Sequence, residues 1–161
     1  MRQVVSQFTG KVHLVEAVNE LEAWLLVDCL GIFCFFSQGH HALPKACKSD
    51  PKSEECRRTL AKNQKYKNIL SGCPGDTTKI EEAIPGGKGA KEYLTSLSKD
   101  IYEELHPASK KIPNDRRYRE SDAPDIAGFI KLDRETIKKN HSLKRFEDLI
   151  SSYATQSGNA I

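Results

Sequence analysis

The chain has 161 residues, which is enough for one ordinary domain. Its 25 Lys and Arg residues against 22 Asp and Glu residues give a formal net charge of +3, which excludes a polyacidic or strongly basic tail protein and does not by itself identify a nucleic-acid binder. Hydrophobic residues make up 38 % and charged residues 29 %, as in a soluble globule. We expect a single domain over residues 1–154 and a frayed tail over 155–161.

The first third of the chain is predicted to form a helix followed by a strand. Leucine and valine recur at helical spacing over residues 11–30, and Gly31 is the expected end of that helix. The apolar run 32–36 is predicted to be a buried strand. The whole apolar stretch 23–36 has 14 residues, fewer than the roughly 20 that cross a bilayer, so we expect core burial and no stable membrane insertion.

A second helix is expected over residues 51–71. Asp50 is the predicted cap, Pro51 suits the first helical position, and Gly72 lies beyond the end.

The rest of the chain is predicted to be helical with one irregular stretch. Residues 78–85 begin with a capping-box pattern, and residues 90–105 place apolar side chains on one helical face. Residues 107–131 are polar and rich in proline, and a last helix is expected to begin at Ser142. The predicted fold class is therefore α+β and predominantly helical, with a small strand or hairpin packed among four to five helices.

Five cysteines lie in the first half of the chain, at positions 29, 34, 47, 56 and 73. No Cys-x-x-Cys spacing is present, so a compact zinc knuckle is not expected. The odd number leaves at least one free thiol. Our main expectation is reduced, buried thiols, and the alternative is one disulfide among Cys47, Cys56 and Cys73.

Two adjacent histidines follow the predicted strand in the sequence Gly39-His40-His41-Ala42-Leu43-Pro44-Lys45. Neighbouring residues at a strand end face opposite ways, so one imidazole can bind a metal while the other faces substrate. This arrangement suits hydrolysis of a phosphodiester, with a neutral imidazole activating water and a divalent ion stabilising the developing charge. Mg, Mn, Zn and Ni are all compatible. The alternative is a pair of surface turn residues.

The Gly39-His40-His41 motif with Pro44-Lys45 resembles the GHH-signature toxin nucleases of the HNH/endonuclease VII superfamily, over residues 32–70. The resemblance implies a ββα-metal site in which His41 is the general base and His40 binds the metal, with Asn63 as the ligand from the following helix. It also implies DNA as substrate and an interbacterial effector, secreted or delivered by contact, that acts in the target-cell cytoplasm. A cognate immunity protein is the implied partner.

Asn63 is expected on the inward face of the second helix. Cys56, Leu60, Asn63 and Leu70 share one helical face, which is where a metal ligand would have to lie. The alternative is a buried amide that is hydrogen-bonded to the backbone.

A basic stretch within the irregular loop is the candidate phosphate-binding surface. Residues 107–119 contain five basic residues and one acidic residue. Basic side chains around an aromatic ring can bind a phosphate backbone, and they are also ordinary solvated surface. The predicted contacts are Lys110, Lys111, Arg116, Arg117 and Arg119.

The leading hypothesis is thus a metal-dependent endonuclease, and two other classes of protein stay open. One is a helical interaction module without catalytic activity. The other is a cysteine hydrolase. Its candidate residues are the nucleophiles Cys34 and Cys47, the bases His41 and His106, and the orienting carboxylates Asp125 and Asp133.

Overall fold

The structure, a computed structural model, describes residues 21–80, 89–109 and 111–158. Within these ranges the chain forms helices and turns and contains no strand. The α-helices, in chain order, are α1 (Glu22–Leu25), α2 (Cys29–Phe36), α3 (Lys45–Ser49), α4 (Glu54–Lys62), α5 (Gln64–Ser71), α6 (Ala90–Leu105), α7 (Ala123–Ala127), α8 (Arg134–Ile137) and α9 (His141–Gly158). Short 3-10 turns lie at Leu26–Asp28, Thr78–Ile80, Asn114–Arg116 and Glu120–Asp122.

The predicted strand 32–36 is wrong, because these residues lie in α2. A short, continuous apolar run has no periodicity that separates a strand from a buried helix, and here the helix is started by a cap. The Asp28 carboxylate accepts a hydrogen bond from the Gly31 N–H at 3.2 Å. The expected second strand is replaced by α3, so the ββα hairpin is not found in the described ranges, whereas the predominantly helical character is confirmed.

Gly31 was expected to end a helix and instead lies inside α2. A Cβ atom at this position would lie 2.5 Å from the backbone oxygen of Phe129 and 2.9 Å from an Asp28 carboxylate oxygen. The glycine is therefore required for the close approach of the loop after α7 to the helix.

A buried ion pair joins α2, α4 and that loop. The Asp28 carboxylate accepts hydrogen bonds from Arg57 Nη1 at 2.5 Å and from the Lys131 N–H at 2.7 Å. Arg57 Nη2 donates to the Phe129 carbonyl at 3.0 Å. Both charged side chains are almost completely buried. Partners of this quality are needed because unpaired charges in the interior are costly.

The predicted amphipathic helix 90–105 is confirmed as α6, which packs against α1, α2 and α5. The apolar face inferred from the sequence is buried, with exposed fractions of 9 % or less, at Ala90, Leu94, Leu97, Ile101 and Leu105. The helix ends at His106, as expected. Its carboxyl end meets the turn that follows α2, and this meeting positions the candidate site.

The predicted helix 51–71 is two helices that meet at Asn63. Ser53 caps α4 by accepting a hydrogen bond from the Cys56 N–H at 3.2 Å, so the helix begins later than the Asp50 signal suggested. Asn63 caps α5 by accepting a hydrogen bond from the Lys65 N–H at 3.0 Å. The break in the helix changes where Asn63 points.

The last helix begins at His141, one residue before the predicted start, and its backbone continues to Gly158 into the expected tail. Asn140 acts as its cap, because the side-chain oxygen accepts a hydrogen bond from the Leu143 N–H at 2.8 Å. Of the other predicted features, residues 11–20, residues 81–85 and Lys110 lie outside the described residues.

The apolar stretch 23–36 lies in the core, as expected. Val27, Ile32 and Phe33 are completely buried. No helix within the described ranges is both long and apolar enough to cross a membrane.

The expectation of reduced cysteines is wrong. Cys29 is bonded to Cys73, and Cys47 is bonded to Cys56, the second pair lying within the set considered as the alternative. Cys34 is the free, buried thiol. Spacing along the chain did not reveal the first pair, because α2 and the end of α5 come together only in the folded core.

Candidate functional site

The two adjacent histidines lie in a tight turn after α2. Gly39 adopts a positive φ of 76°, a conformation that favours glycine. The His40 N–H donates to the Ser37 carbonyl at 3.1 Å, and the Leu43 N–H donates to the His40 carbonyl at 3.2 Å. Leu43 is buried in the core. The turn therefore presents the imidazoles at the surface while its far end is anchored.

A third histidine joins them from the carboxyl end of α6. The ring centroid of His40 lies 4.3 Å from that of His41 and 4.9 Å from that of His106. Tyr102, one turn earlier in α6, stacks on His106 at 4.4 Å. We call His40, His41 and His106 the histidine cluster. His41 and His106 are exposed and His40 is half-buried.

Sequence reasoning did not place His106 in the site. It lies far along the chain, outside the spacing that the nuclease motif predicts. The only sequence signal was its position at the end of a strongly amphipathic helix, which says nothing about which turn that end meets.

The local environment lowers the pKa of His40. Burial is the largest cause, and the neighbouring imidazoles of His41 and His106 and the ammonium group of Lys65 act in the same direction. A hydrogen bond to the Leu105 backbone opposes them. The lowered pKa keeps His40 neutral at pH 7, and a neutral imidazole is the form that binds metals.

A metal ion at the histidine cluster would need imidazole ligands, and the ring centroids of His41 and His106 lie within 4.9 Å of that of His40. His40 Nδ1 accepts a hydrogen bond from the Ala42 N–H at 3.2 Å, and the ring also hydrogen-bonds to the Leu105 backbone, so a metal ion would have to displace one of these two contacts. In the described part of the chain, three ligand atoms lie within 4.8 Å of one another only in a cysteine group. A third imidazole would therefore have to rotate toward the ion, and the exposed side chains of His41 and His106 have room to do so.

Asn63 does not lie on the inward face of a helix, as the sequence suggested. It stands between α4 and α5 with a half-buried side chain. Its side-chain oxygen is already engaged in capping α5. The face argument failed because it assumed one continuous helix through this position.

The basic loop packs beside the middle of α6 and not beside the histidines. Tyr118 is buried, its N–H donates to Ser98 Oγ at 3.0 Å, and its hydroxyl donates to Glu22 at 2.9 Å. Arg119 forms an ion pair with Asp122 at 3.0 Å. The ring of Tyr118, which was expected to lie among the basic side chains of the loop, is thus buried in the core.

The predicted cations of this loop are dispersed. Lys111 and Arg116 are exposed, and Arg117 points into an open groove of about 530 Å³ along α6. The groove is lined by Lys91, Glu92, Thr95, Ser96, Lys99 and Arg117. Three of these side chains are cationic and one is anionic, but Lys91 pairs with Glu120 and Lys99 pairs with Glu103, so a phosphate group in the groove would compete with these ion pairs.

One face of α6 connects the groove to the histidine cluster. Thr95 and Lys99 line the groove, and Tyr102 and His106 follow at helical spacing on the same face. Seven residues separate Lys99 from His106, which corresponds to about 10 Å along the helix axis.

Neither candidate cysteine nucleophile is available. Cys47 is in a disulfide. Cys34 is completely buried, and burial raises the pKa of its thiol to about 11, although Arg57 acts in the opposite direction. A thiol with a raised pKa in the core is unreactive, so a cysteine hydrolase built on these residues is not supported.

No protein-family model, curated protein or solved structure matches this chain.

Proposed function

We propose that this protein is a metal-dependent phosphodiesterase that cleaves nucleic acid, with the histidine cluster as its reaction site. The observation that carries the proposal is the convergence of three imidazoles at an exposed corner, on the same face of α6 as a cationic groove. The proposal does not include the ββα unit of the nucleases that the motif resembles, because the described residues contain no strand. The proposal therefore depends on the side chains and not on the fold.

His40 and His106 would hold the metal ion. Imidazole ligands suit zinc and nickel better than magnesium or manganese, which prefer oxygen ligands. When bound, such an ion supplies positive charge that stabilises the phosphoryl oxygens during hydrolysis.

His41 would act as the general base. It is exposed, so water and a phosphodiester can reach its ring. Its ring lies beside His40, which places the proton acceptor next to the atoms that would hold the metal. A positioned imidazole can accept a proton from water in the transition state.

The cationic groove would bind the nucleic-acid backbone. The distance of about 10 Å between Lys99 and the histidine cluster along α6 equals the rise of about three base pairs along the axis of B-form DNA. A strand lying along this face would place one phosphate in the groove and a scissile phosphodiester at the histidines. Arg117 contributes from the opposite wall of the groove.

Plasmid cleavage tests the proposal directly. Purified protein with zinc or nickel is expected to nick plasmid DNA, and EDTA is expected to abolish the activity. His41→Ala and His106→Ala should each lower the rate by about 10²- to 10⁴-fold. The control is His141→Ala, which removes an exposed histidine at the start of α9 and should leave the rate unchanged. Equal rates for His41→Ala and His141→Ala would contradict the proposal.

The groove is tested separately by binding. Lys99 pairs with Glu103 at 3.8 Å on the surface of α6. Lys99→Ala should weaken binding of a catalytically inactive His41→Ala protein to DNA and reduce the salt dependence of that binding by about one phosphate contact. Glu103→Gln removes the competing carboxylate and should strengthen binding. If Lys99→Ala and Glu103→Gln bind DNA with the same affinity, the groove is excluded as the DNA-binding surface.

One observation favours a non-catalytic interaction module instead. His40 Nδ1 accepts a hydrogen bond from the Ala42 N–H, a contact that can serve only to stabilise the turn. If the cluster is purely structural, His40→Ala should destabilise the fold, and neither it nor His41→Ala should change metal binding or cleavage. Isothermal titration with zinc distinguishes the two functions, because only the phosphodiesterase requires saturable binding at the cluster.

A role as an interbacterial toxin with an immunity partner follows from the motif resemblance alone, and we keep it as part of the proposal. Expression of the wild-type chain in bacteria should arrest growth, whereas expression of His41→Ala should not. Equal growth of both strains, at equal protein levels, would contradict the toxin role while leaving the hydrolytic activity to be judged by the plasmid assay.

A further inference from the structure

A row of aromatic rings runs from α6 onto the histidine turn. The ring centroid of Tyr102 lies 4.4 Å from that of His106. His106 is in ring contact with His40, and His40 is in ring contact with His41. The side chains of His41 and His106 are exposed, whereas those of Tyr102 and His40 are half-buried. We call these four side chains the aromatic row, and Tyr102 is the member that has no part in the hydrolysis proposed above.

The Tyr102 side chain differs from the two buried tyrosines in how it is held. The hydroxyl of Tyr66 donates to the Ala42 carbonyl at 3.5 Å, and that of Tyr118 donates to Glu22 at 2.9 Å. The hydroxyl of Tyr102 forms no hydrogen bond within the described part of the chain. Its contact with His106 is made by the ring, and part of that ring is open to solvent. What Tyr102 offers to a ligand is therefore an aromatic surface.

The charges around Tyr102 do not suit a DNA duplex. Lys99 pairs with Glu103 and Lys65 pairs with Glu104, each at 3.8 Å, and Asp100 adds a third carboxylate beside them. A duplex carries one negative charge per about 1.7 Å, so it presents about six over the 10 Å between Lys99 and the histidine cluster. Duplex binding depends mainly on neutralising those phosphates. This face has too few uncompensated cations to do so.

An unpaired strand requires less positive charge. Proteins that bind single strands combine backbone contacts with aromatic rings on which bases stack, and the bases of a duplex are not available for such stacking. Tyr102 follows Lys99 by three residues and precedes His106 by four, which correspond to about 4.5 Å and 6 Å along the helix axis. A base on Tyr102 would thus lie between a phosphate in the groove and the phosphodiester at the histidines.

We propose that the substrate is single-stranded nucleic acid, and that Tyr102 stacks with an unpaired base next to the scissile phosphodiester. The inference rests on the phosphodiesterase function proposed above and narrows its substrate. Tyr102 is a positioning residue here, because it holds the strand and takes no part in proton transfer. Every base has a π face, so this contact selects unpaired bases without selecting a sequence.

A duplex would have to open before it could bind in this way. Unpairing and unstacking a base costs free energy, and the cost is smallest where the strands are already separated. The nicking of plasmid DNA that is expected above would therefore begin at locally unpaired positions.

Binding measured in EDTA, so that no strand is cleaved, tests the inference. A short fluorescent DNA oligonucleotide is titrated with the full chain, either alone or annealed to its complement. Wild type should bind the single strand about 10-fold more tightly than the duplex. Tyr102→Ala should weaken single-strand binding by about 5- to 150-fold, the contribution of one stacked base, and should leave duplex binding unchanged.

Two control variants separate stacking from a loss of structure. Tyr102→Phe keeps the ring and should bind the single strand as wild type does. Tyr93→Ala removes another half-buried tyrosine of α6, nine residues earlier and therefore on the opposite side of the helix. It should keep the preference for the single strand. Circular dichroism of each variant reports whether the helices are retained.

Several outcomes would overturn the inference. They are equal affinity of wild type for the two forms of DNA, equal losses in Tyr93→Ala and Tyr102→Ala, and a loss in Tyr102→Phe as large as that in Tyr102→Ala. Cleavage of the same oligonucleotides with zinc distinguishes this failure from failure of the proposed function. Equal cleavage rates for single strand and duplex would support the phosphodiesterase and overturn the inference. Preferred binding of the single strand through Tyr102 without any cleavage would contradict the phosphodiesterase and support the binding site.

Discussion

The histidine cluster lies on one side of a short segment of chain, and the sulfur cluster, which is the Cys47–Cys56 disulfide with the free thiol of Cys34 beside it, lies on the other. The turn that carries His40 and His41 continues into α3, which carries Cys47. The imidazoles are exposed at the surface, whereas the sulfurs are buried and held by three helices. Both clusters bring together residues that are far apart in the sequence.

The difference between the clusters lies in what surrounds them. The sulfur cluster has closely spaced sulfur atoms and no access to solvent, which suits a structural covalent bond. The histidine cluster has access to solvent and spare room for its rings to rotate, which suits binding and turnover of a substrate. Variants on the two sides should therefore affect different properties, stability on the buried side and activity on the exposed side.

The largest expected effect on stability is on the buried side, at Asp28. Asp28→Ala removes the partner of Arg57 and the acceptor of two backbone N–H groups, at Gly31 and Lys131. An uncompensated buried charge typically costs about 3–5 kcal/mol, so the free energy of unfolding in urea should fall by that amount. Asp125→Ala, at an exposed position in α7, is the control and should change it by less than about 0.5 kcal/mol.

The next effect concerns the reactivity of the free thiol. Burial raises the pKa of Cys34 from 9.0 to about 11, so its thiolate fraction at pH 8 is lower by about 100-fold than that of an unperturbed thiol. Iodoacetamide should therefore label native protein at least 100-fold more slowly than denatured protein, which should take up one label per chain. Because the thiolate is the reactive form, the native rate should rise about tenfold per pH unit toward pH 11. Rapid labelling at pH 8 would show that the core around the sulfur cluster is open.

A smaller effect is expected at Gly31. Glycine to alanine inside a helix normally stabilises a protein by about 1 kcal/mol. At this position the new Cβ would meet the Phe129 carbonyl oxygen, so Gly31→Ala should instead destabilise by about 1–3 kcal/mol. Gly75→Ala is the control, because nothing lies within 4 Å of the added atom. Thermal unfolding of both variants measures the difference, and stabilisation by Gly31→Ala would contradict the close approach of the loop.

The smallest effect on stability is expected on the exposed side. His106→Ala removes a ring that is exposed and that makes only ring contacts with His40 and Tyr102. Its free energy of unfolding should change by less than about 0.5 kcal/mol even though its cleavage rate is expected to fall strongly. A large loss of stability in this variant would mean that the histidine cluster is a structural feature and would favour the interaction module.

Local patterns predicted some elements well. The apolar face of α6 was apparent from its spacing, and all five positions are buried, because helical periodicity fixes which side of an amphipathic helix faces the core. The end of that helix at His106 was also predicted. Other local signals misled. The run 32–36 has no periodicity, so its helical state was decided by the Asp28 cap and by the surrounding helices. The sequence pattern placed Asn63 on the inward face of one continuous helix, but α4 ends at Lys62, so Asn63 does not lie on that face.

The sequence alone established a mostly helical chain, a modest charge, a pair of adjacent histidines and an odd number of cysteines. Only the tertiary structure decided which of these residues meet. It brought His106 to His40, paired Cys29 with Cys73, and left Cys34 beside a disulfide. The physical reason is that helical periodicity fixes which side of a helix is buried, but not which other helix covers it. The site proposed for this chain lies where such elements meet.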